Sequence, residues 1–316
     1  MSLFEEKFCG ITWGHPGRTG TWDSPSAIES IKAVNELGPN WIVVAFEGQQ
    51  ETAHSTEITF GRGSMLSDSE VRFAIRTFRA EGKKVCLKPM VNPQDGNWRG
   101  FISFFAVDVP GEPNWNEWFD SYKTFITHYA SIAEDEGCEL FSIGCEMVMT
   151  DHQSDRWRDV VAAVRNVYSG LITYNCDKYQ EANVDWWDSV DVISTSAYYP
   201  EGTWEANLAR IKEVVNLHKK PFLFLESGCP SRTGSASRPN DWKLAGQQNL
   251  SEQDRYFEGL LLAALHTDWI WGLAIWDQQS EISSEYHPET DGGYGILGKP
   301  AGARLRTEFL RCRADK

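Results

Sequence analysis

The stretch Leu140-Phe141-Ser142-Ile143-Gly144-Cys145-Glu146 is a short, mostly apolar run that ends on a carboxylate. A run of this length and composition predicts a β-strand that is covered on both faces, as in a parallel sheet. A loop follows it, and then a helical pattern over Ser154–Tyr168. The stretch therefore predicts one strand–helix unit of an α/β fold.

The same rhythm recurs along the chain, giving eight units without a Pro/Gly/Ser-rich linker between them. The predicted strands are Phe8–Trp13, Trp41–Phe46, Val85–Met90, Leu140–Glu146, Leu171–Cys176, Val190–Tyr198, Pro221–Glu226 and Ile270–Asp277. The predicted helices are one capped by Ser24, then Ser67–Glu81, Asn116–Glu136, Ser154–Tyr168, Glu181–Ser189, Trp204–His218, one opened by a capping box of Ser251 and Asp254, and Ala301–Cys312. Eight such units predict a single α/β domain over residues 1–316, a closed (β/α)8 TIM barrel. The alternative is an open doubly wound sheet, but the first strand lacks the glycine-rich turn typical of that fold.

Composition and charge narrow the classes of partner. The 316 residues are 41% hydrophobic and 24% charged, which is ordinary for a globular protein with a large core. A net charge of −15 would repel phosphate backbones and anionic membrane surfaces, so we expect neither a nucleic acid nor a membrane as partner. No apolar run near the N-terminus resembles a signal peptide. We expect a monomeric cytoplasmic protein. Secretion stays open as an alternative, because a protein whose signal peptide has been removed would also lack such a run.

The cysteines and histidines do not form a recognisable metal motif. The seven cysteines include no Cys-x-x-Cys pair, and the seven histidines include no His-Glu-x-x-His. Buried, reduced thiols are the expected state of the cysteines. We therefore expect no metal site and no cofactor.

Two of the predicted strands end on a glutamate, Glu146 on the fourth and Glu226 on the seventh. The carboxyl ends of the strands form the active site of such a barrel, so the two side chains are expected to face each other across its mouth. A pair of carboxyl groups is also the machinery that hydrolyses glycosidic bonds. Either glutamate alone would be explained equally well by an ion pair with a neighbouring Lys or Arg. Together they predict a glycoside hydrolase with Glu146 and Glu226 as catalytic residues.

Aromatic residues make up 13% of the chain, with 14 tryptophans. Flat amphipathic side chains in a wet cleft suit the apolar faces of sugar rings, although core packing explains any single tryptophan at least as well. The predicted substrate-binding residues are Trp13, Lys88, Asn92, Trp98, Asn175, Tyr198 and Trp276. Further candidates are Trp115 and Trp118 beside the loop after the third strand, and Asp151, Asp177 and Asp277 after the fourth, fifth and eighth strands.

Several strand ends together resemble those of the clan A glycoside hydrolases, and within the clan those of family 113, the β-1,4-mannanases. The residues that carry the resemblance are Gly10-Ile11-Thr12-Trp13-Gly14, Asn40–Phe46 with Gln50-Glu51-Thr52, Lys88-Pro89-Met90-Val91-Asn92, Ile143-Gly144-Cys145-Glu146, Leu225-Glu226-Ser227-Gly228 and Ala274-Ile275-Trp276-Asp277. They span most of the chain in order.

The resemblance implies a retaining endo-β-1,4-mannanase that acts on β-mannan or manno-oligosaccharides without a cofactor. It implies Glu146 as the acid/base and Glu226 as the nucleophile, with Tyr198 positioning the nucleophile and Trp276 beneath the sugar at the cleaved bond.

One residue departs from the clan pattern. Many clan A members have Asn immediately before the acid/base, where this chain has Cys145. A thiol is a weak hydrogen-bond donor, so Asn175 or Asn92 is a candidate to hold the sugar 2-hydroxyl instead. Mannose and glucose differ at this hydroxyl. A clan A enzyme for xylan or β-glucan therefore stays open as an alternative, as does a non-catalytic glycan-binding barrel.

Overall fold

All eight predicted strands form in the protein, a computed structural model of which describes residues 3–314. They pair in parallel in chain order, and β8 returns to β1 to close the barrel. The strands are β1 Phe8–Trp13, β2 Trp41–Gln50, β3 Lys84–Pro93, β4 Leu140–Cys145, β5 Leu171–Cys176, β6 Val192–Ser196, β7 Phe222–Glu226 and β8 Ile270–Gln278. The prediction of a (β/α)8 TIM barrel is thus confirmed.

Seven α-helices surround this barrel within the described range. They are α1 Pro25–Glu36, α2 Asp68–Ala80, α3 Trp115–Asp135, α4 Ser154–Arg165, α5 Trp204–His218, α6 Leu250–Leu265 and α7 Pro300–Ala314. The Ser24 side chain caps α1 by accepting from the Ala27 N–H at 3.1 Å, as predicted. Among residues 3–314, no helix is both long and apolar enough to cross a membrane.

The predicted helix over Glu181–Ser189 is wrong. Only a short 3-10 turn, Trp187–Ser189, forms between β5 and β6. The buried Glu181 carboxylate accepts hydrogen bonds from Tyr199 at 2.5 Å and from Arg210, and its backbone carbonyl accepts from the Trp187 indole at 2.8 Å. These long-range bonds fix an irregular loop, in which Trp186 and Trp187 are fully buried.

The predicted start of the helix before β8 also needs correction. Asn249, not Ser251, caps α6 by accepting from the Glu252 N–H at 3.0 Å, and Glu252 accepts in return from the Asn249 amide. Asp254 instead pairs with Arg304 on α7 at 2.7 Å. The helix thus has a side-chain N-cap two residues earlier than the sequence suggested, but not the predicted capping box, because the Asn249 backbone N–H donates to the Ser231 carbonyl rather than to Glu252.

The inside of the barrel changes from apolar to charged along its axis. Its lower part is filled by large side chains, among them Phe8, Trp41, Leu140 and Trp271. Cys86 belongs to this cluster, and Lys88 lies two residues further along the same face of β3. The fold therefore presents a buried lysine at the carboxyl end of the barrel, where the two predicted catalytic glutamates also lie.

Candidate active site

Glu146 and Glu226 come together at the mouth of the barrel. One carboxylate oxygen of each lies within 4.8 Å of the other, and both are within the same distance of Cys145 Sγ. Retaining glycosidases hold their two carboxyl groups about 5–5.5 Å apart, whereas inverting enzymes need about 6.5–9.5 Å to admit a water molecule. The spacing fits direct attack by one of the two carboxylates.

Glu226 is held as an anion. Lys88 Nζ donates to its Oε1 at 2.5 Å, Cys145 Sγ donates to the same oxygen at 3.2 Å, and the Tyr198 hydroxyl donates to Oε2 at 3.3 Å. Burial alone would raise the pKa of Glu226, but the positive charges of Lys88 and Arg99 outweigh it, so the pKa lies below its usual value. The carboxylate is therefore ionised and available as a nucleophile.

Glu146 has the opposite electrostatic character. It follows β4 with a φ of 53°, in the left-handed region, and its N–H donates to the Asn175 carbonyl at 2.7 Å. Ser196 Oγ donates to Oε1 at 2.6 Å, and Arg99 lies 3.3 Å from Oε2. Burial and then the charge of Glu226 raise the pKa of Glu146. One glutamate is thus suited to carry a proton while the other is ionised, which is the division of roles that glycoside hydrolysis requires.

Arg99 is a site residue that the sequence did not reveal. It lies in the loop after β3, where its guanidinium contacts Glu146, Cys145 Sγ at 3.4 Å and Asn92 Oδ1 at 2.9 Å. The Asn92 amide donates in turn to Glu47. Glu47 was missed because β2 continues to Gln50, beyond the predicted end at Phe46. No motif distinguishes Arg99 from other loop arginines.

Three predicted substrate-binding residues contact Glu146 or Glu226 directly. These are Lys88 and Tyr198 on Glu226, and Trp98, whose indole nitrogen lies 3.4 Å from Glu146 Oε2. Trp98 is 38% exposed and borders the open cleft.

The rim near β8 combines an indole and an imidazole. Trp276 is half-buried, and its ring centroid lies 4.8 Å from that of His15 and 5.9 Å from Lys88 Nζ. Burial, followed by the charge of Arg99, lowers the pKa of His15 to about 3, so its ring is neutral. His15 is a second residue that the sequence did not single out.

Asn175 lies beneath the site rather than in the cleft. It is fully buried, and its amide donates to Ser196 Oγ at 3.0 Å, which in turn donates to Glu146. Asn92 is half-buried, and both ends of its amide are engaged, with Arg99 and with Glu47. Both asparagines therefore support other site residues.

The prediction that Trp13 contacts substrate is wrong. Trp13 is fully buried, and its indole donates to Ser30 on α1 at 3.1 Å while its ring packs against Trp22 and Phe78. Side chains alternate between the two faces of a strand, and Trp13 falls on the face that meets the helices. Two of the further candidates, Trp115 and Trp118, are likewise buried.

The acidic candidates after β4, β5 and β8 have raised pKa values. Burial and the charge of Glu226 raise the pKa of Asp277 to about 7, and burial and the charge of Glu146 do the same for Asp177. Burial raises the pKa of Asp151 to about 8. The pKa values of Asp277 and Asp177 thus depend on the charges of Glu226 and Glu146.

Comparison with known proteins shows which family the chain belongs to. The model of Glycoside Hydrolase Family 113 matches residues 11–299. Two solved structures described as GH113 beta-1,4-mannanase are 43% and 42% identical to the chain, each with a TM-score of 0.94, covering 96% of this chain and 99% of theirs. A GH113 beta-mannanase from Alicyclobacillus acidocaldarius, in complex with ManMIm, is 38% identical with a TM-score of 0.94, covering 98% of this chain and 100% of its own.

A search among curated proteins found no match. The family match covers most of the chain, and the matched structures share its barrel from end to end. The chain belongs to glycoside hydrolase family 113 and is a glycoside hydrolase.

Proposed function

We propose that the protein is a retaining endo-β-1,4-mannanase, with Glu226 as nucleophile and Glu146 as acid/base. The observation that carries the proposal is the close pair of buried carboxyls, whose pKa values are shifted in opposite directions. The three similar structures named as mannanases support the substrate class. A glycan-binding protein without activity would have no need for such a pair.

In the first step, Glu146 donates its proton to the glycosidic oxygen as that bond breaks. Glu226 attacks the anomeric carbon and forms a glycosyl ester. Lys88 and Cys145 engage Oε1 of Glu226, which leaves Oε2, contacted by Tyr198, as the attacking oxygen. The ionised carboxylate opposite the protonated one gives each residue a single role in this step.

In the second step, the ester no longer carries the negative charge of Glu226. That charge contributes to the high pKa of Glu146, so the pKa of Glu146 falls once the ester has formed. Glu146 then accepts a proton from water, the water attacks the anomeric carbon, and Glu226 leaves. Two inversions give net retention of configuration.

Arg99 is our candidate for the hydrogen-bond donor beside the sugar 2-hydroxyl. Asn175 is fully buried and the Asn92 amide is fully engaged, so neither replaces the asparagine missing at Cys145. Arg99 has a nitrogen 3.4 Å from Cys145 Sγ and 3.3 Å from Glu146 Oε2. Its planar group offers five donors, of which these contacts use only some.

A panel of manno-, xylo- and cello-oligosaccharides together with the three polymers tests the substrate class. We expect cleavage of β-mannan and manno-oligosaccharides, with the β-anomer formed first as seen by NMR. Equal or higher activity on xylan or β-glucan would overturn the mannan assignment while leaving the family intact. Glu57→Gln, a substitution at an exposed residue, serves as the control variant and should cleave the same substrates as the wild type.

A further inference from the structure

We propose that the loop segment 98–109, between β3 and α3, binds the leaving-group side of a β-mannan chain on three exposed aromatic side chains. These side chains, Trp98, Phe101 and Phe105, are called the aromatic track below. The assignment rests on the proposed function, since it names the subsites that receive the mannose units released when Glu146 donates its proton.

The segment concentrates apolar surface that is open to solvent. Five of the thirteen large exposed hydrophobic side chains among residues 3–314 lie in these twelve positions. Phe101 is 55% exposed and Phe105 is 60% exposed, whereas most aromatic residues of the chain are buried. Single exposed hydrophobic residues are ordinary, but a cluster of them marks a binding surface.

The aromatic track begins at the catalytic acid. The indole nitrogen of Trp98 lies 3.4 Å from Glu146 Oε2, and the ring centroid of Phe101 lies 5.8 Å from that of Trp98. Glu146 protonates the leaving oxygen, so a ring beside it lies next to the sugar that departs. Glu226, on the far strand β7, contacts the other side of the cleaved bond. Continuity with Glu146 therefore selects the leaving-group side.

The near end of the aromatic track is rigid. Arg99, which lies between Trp98 and Phe101 in the sequence, donates to Asn92 Oδ1 at 2.9 Å. The Phe101 N–H donates to the Trp98 carbonyl at 3.0 Å. A β-carbon on Gly100 would lie 2.2 Å from Trp98 Cζ3, so the indole packs directly on this glycine. A surface already fixed in its binding geometry loses little entropy when a ligand binds.

The far end of the aromatic track opens into a pocket. Phe105 and Phe104 line a cavity of about 390 Å³ together with His54, Ser103, Glu112 and Pro113, a size within the range of about 300–1,000 Å³ typical of small-molecule sites. The His54 ring is held by the Ser103 carbonyl at 2.8 Å. Aromatic faces beside a few hydrogen-bonding groups suit a neutral sugar, whose ring is apolar and whose edge carries hydroxyls.

The double variant Phe101→Ala/Phe105→Ala tests this assignment with two substrates. Mannohexaose places sugars on both sides of the cleaved bond, whereas an aryl β-mannobioside places only an aryl group on the leaving side. We expect kcat/KM on mannohexaose to fall about tenfold, mainly through KM, and activity on the aryl substrate to stay within about twofold. Leu217→Ala, an exposed substitution near the end of α5, should change neither.

The other outcomes are equally decisive. An equal loss on both substrates would mean that the segment only supports the active site, and no loss on mannohexaose would mean that it binds no sugar; either overturns the aromatic track alone. A dimer that the double variant dissociates without a kinetic change would assign the surface to a second copy of the chain. Wild-type enzyme inactive on both substrates would overturn the proposed function itself.

Discussion

Lys88 Nζ lies 2.5 Å from Glu226 Oε1, and both side chains are buried at the mouth of the barrel. A buried ion pair of this kind is costly to break, because removal of one partner leaves the other charge without compensation. In this site the pair also favours the ionised form of Glu226, which we propose as the nucleophile.

Lys88→Met should lower kcat/KM by about 100-fold or more, since it removes a charge that stabilises the ionised nucleophile. Lys88 lowers the pKa of Glu226, so its loss should raise that pKa. Activity requires ionised Glu226, and the acidic limb of the pH–rate profile should therefore move to higher pH. Lys123→Met, which breaks a surface pair with Asp120, is the control and should leave the profile unchanged. An unshifted acidic limb in Lys88→Met would refute this role.

Arg99→Met should move both limbs of the pH–rate profile to higher pH, because Arg99 lowers the pKa of Glu226 as well as that of Glu146. Arg99 lowers the pKa of Glu146, so its removal should raise that pKa and extend activity toward alkaline pH. The rate at the optimum should nevertheless fall by about 100-fold, because Arg99 is our donor to the substrate. Arg62→Met, at an exposed pair with Glu57, provides the comparison. A variant with normal activity and an unshifted alkaline limb would show that Arg99 is dispensable.

Tyr174→Phe tests how the backbone of Glu146 is held. The Tyr174 hydroxyl accepts from the Met147 N–H at 3.1 Å and donates to Asp151 Oδ1 at 2.5 Å, directly after the left-handed Glu146. We expect a loss of about 1–2 kcal/mol in the free energy of unfolding. Hydrolysis of mannohexaose should also fall more than that of an activated aryl mannoside, which needs no proton donor.

The matched control for this variant is Tyr168→Phe. Its hydroxyl donates to the Cys138 carbonyl at 2.8 Å, just before β4 and thus at the opposite end of the barrel from the site. A similar loss of stability with unchanged kinetics is expected there. Equal kinetic effects of the two variants would remove the case for Tyr174 as a positioning residue.

Asp151→Asn tests how the free energy of unfolding depends on pH. Burial raises the pKa of Asp151 to about 8, well above the value of about 3.9 expected in the unfolded chain. The folded state therefore binds more protons between these values, and the contribution of Asp151 to stability is lost as the pH rises through this range. Urea unfolding at pH 5 and pH 8 should show a smaller loss for the variant than for the wild type. An identical loss in both would contradict the assignment.

The sequence predicted that Glu146 and Glu226 would meet, because both residues end predicted strands of a barrel. The carboxyl ends of all strands in a (β/α)8 barrel lie at its mouth. A carboxylate that ends a buried strand is therefore expected there, and both Glu146 and Glu226 are found there. Trp13 failed although it also ends a strand. The face on which a strand-end side chain falls depends on register and on local bulges, which composition does not reveal.

Loops account for most of what the sequence could not predict. Arg99 and His15 reach the site from segments after β3 and β1, and only the packed structure brings them beside the glutamates. The segment Glu181–Ser189 failed for a related reason, since its conformation is set by distant partners such as Arg210. Local pattern predicts elements whose stability is local, and these segments are held by contacts far away in sequence.

Covalent trapping tests the central claim most directly. The enzyme would be incubated with a 2-deoxy-2-fluoro-mannobiosyl fluoride, whose fluorine at C2 slows breakdown of the glycosyl ester, digested, and analysed by peptide mass spectrometry. We predict one added mannobiosyl unit per chain, attached to Glu226. A label on Glu146 or on another residue would contradict the assignment of roles.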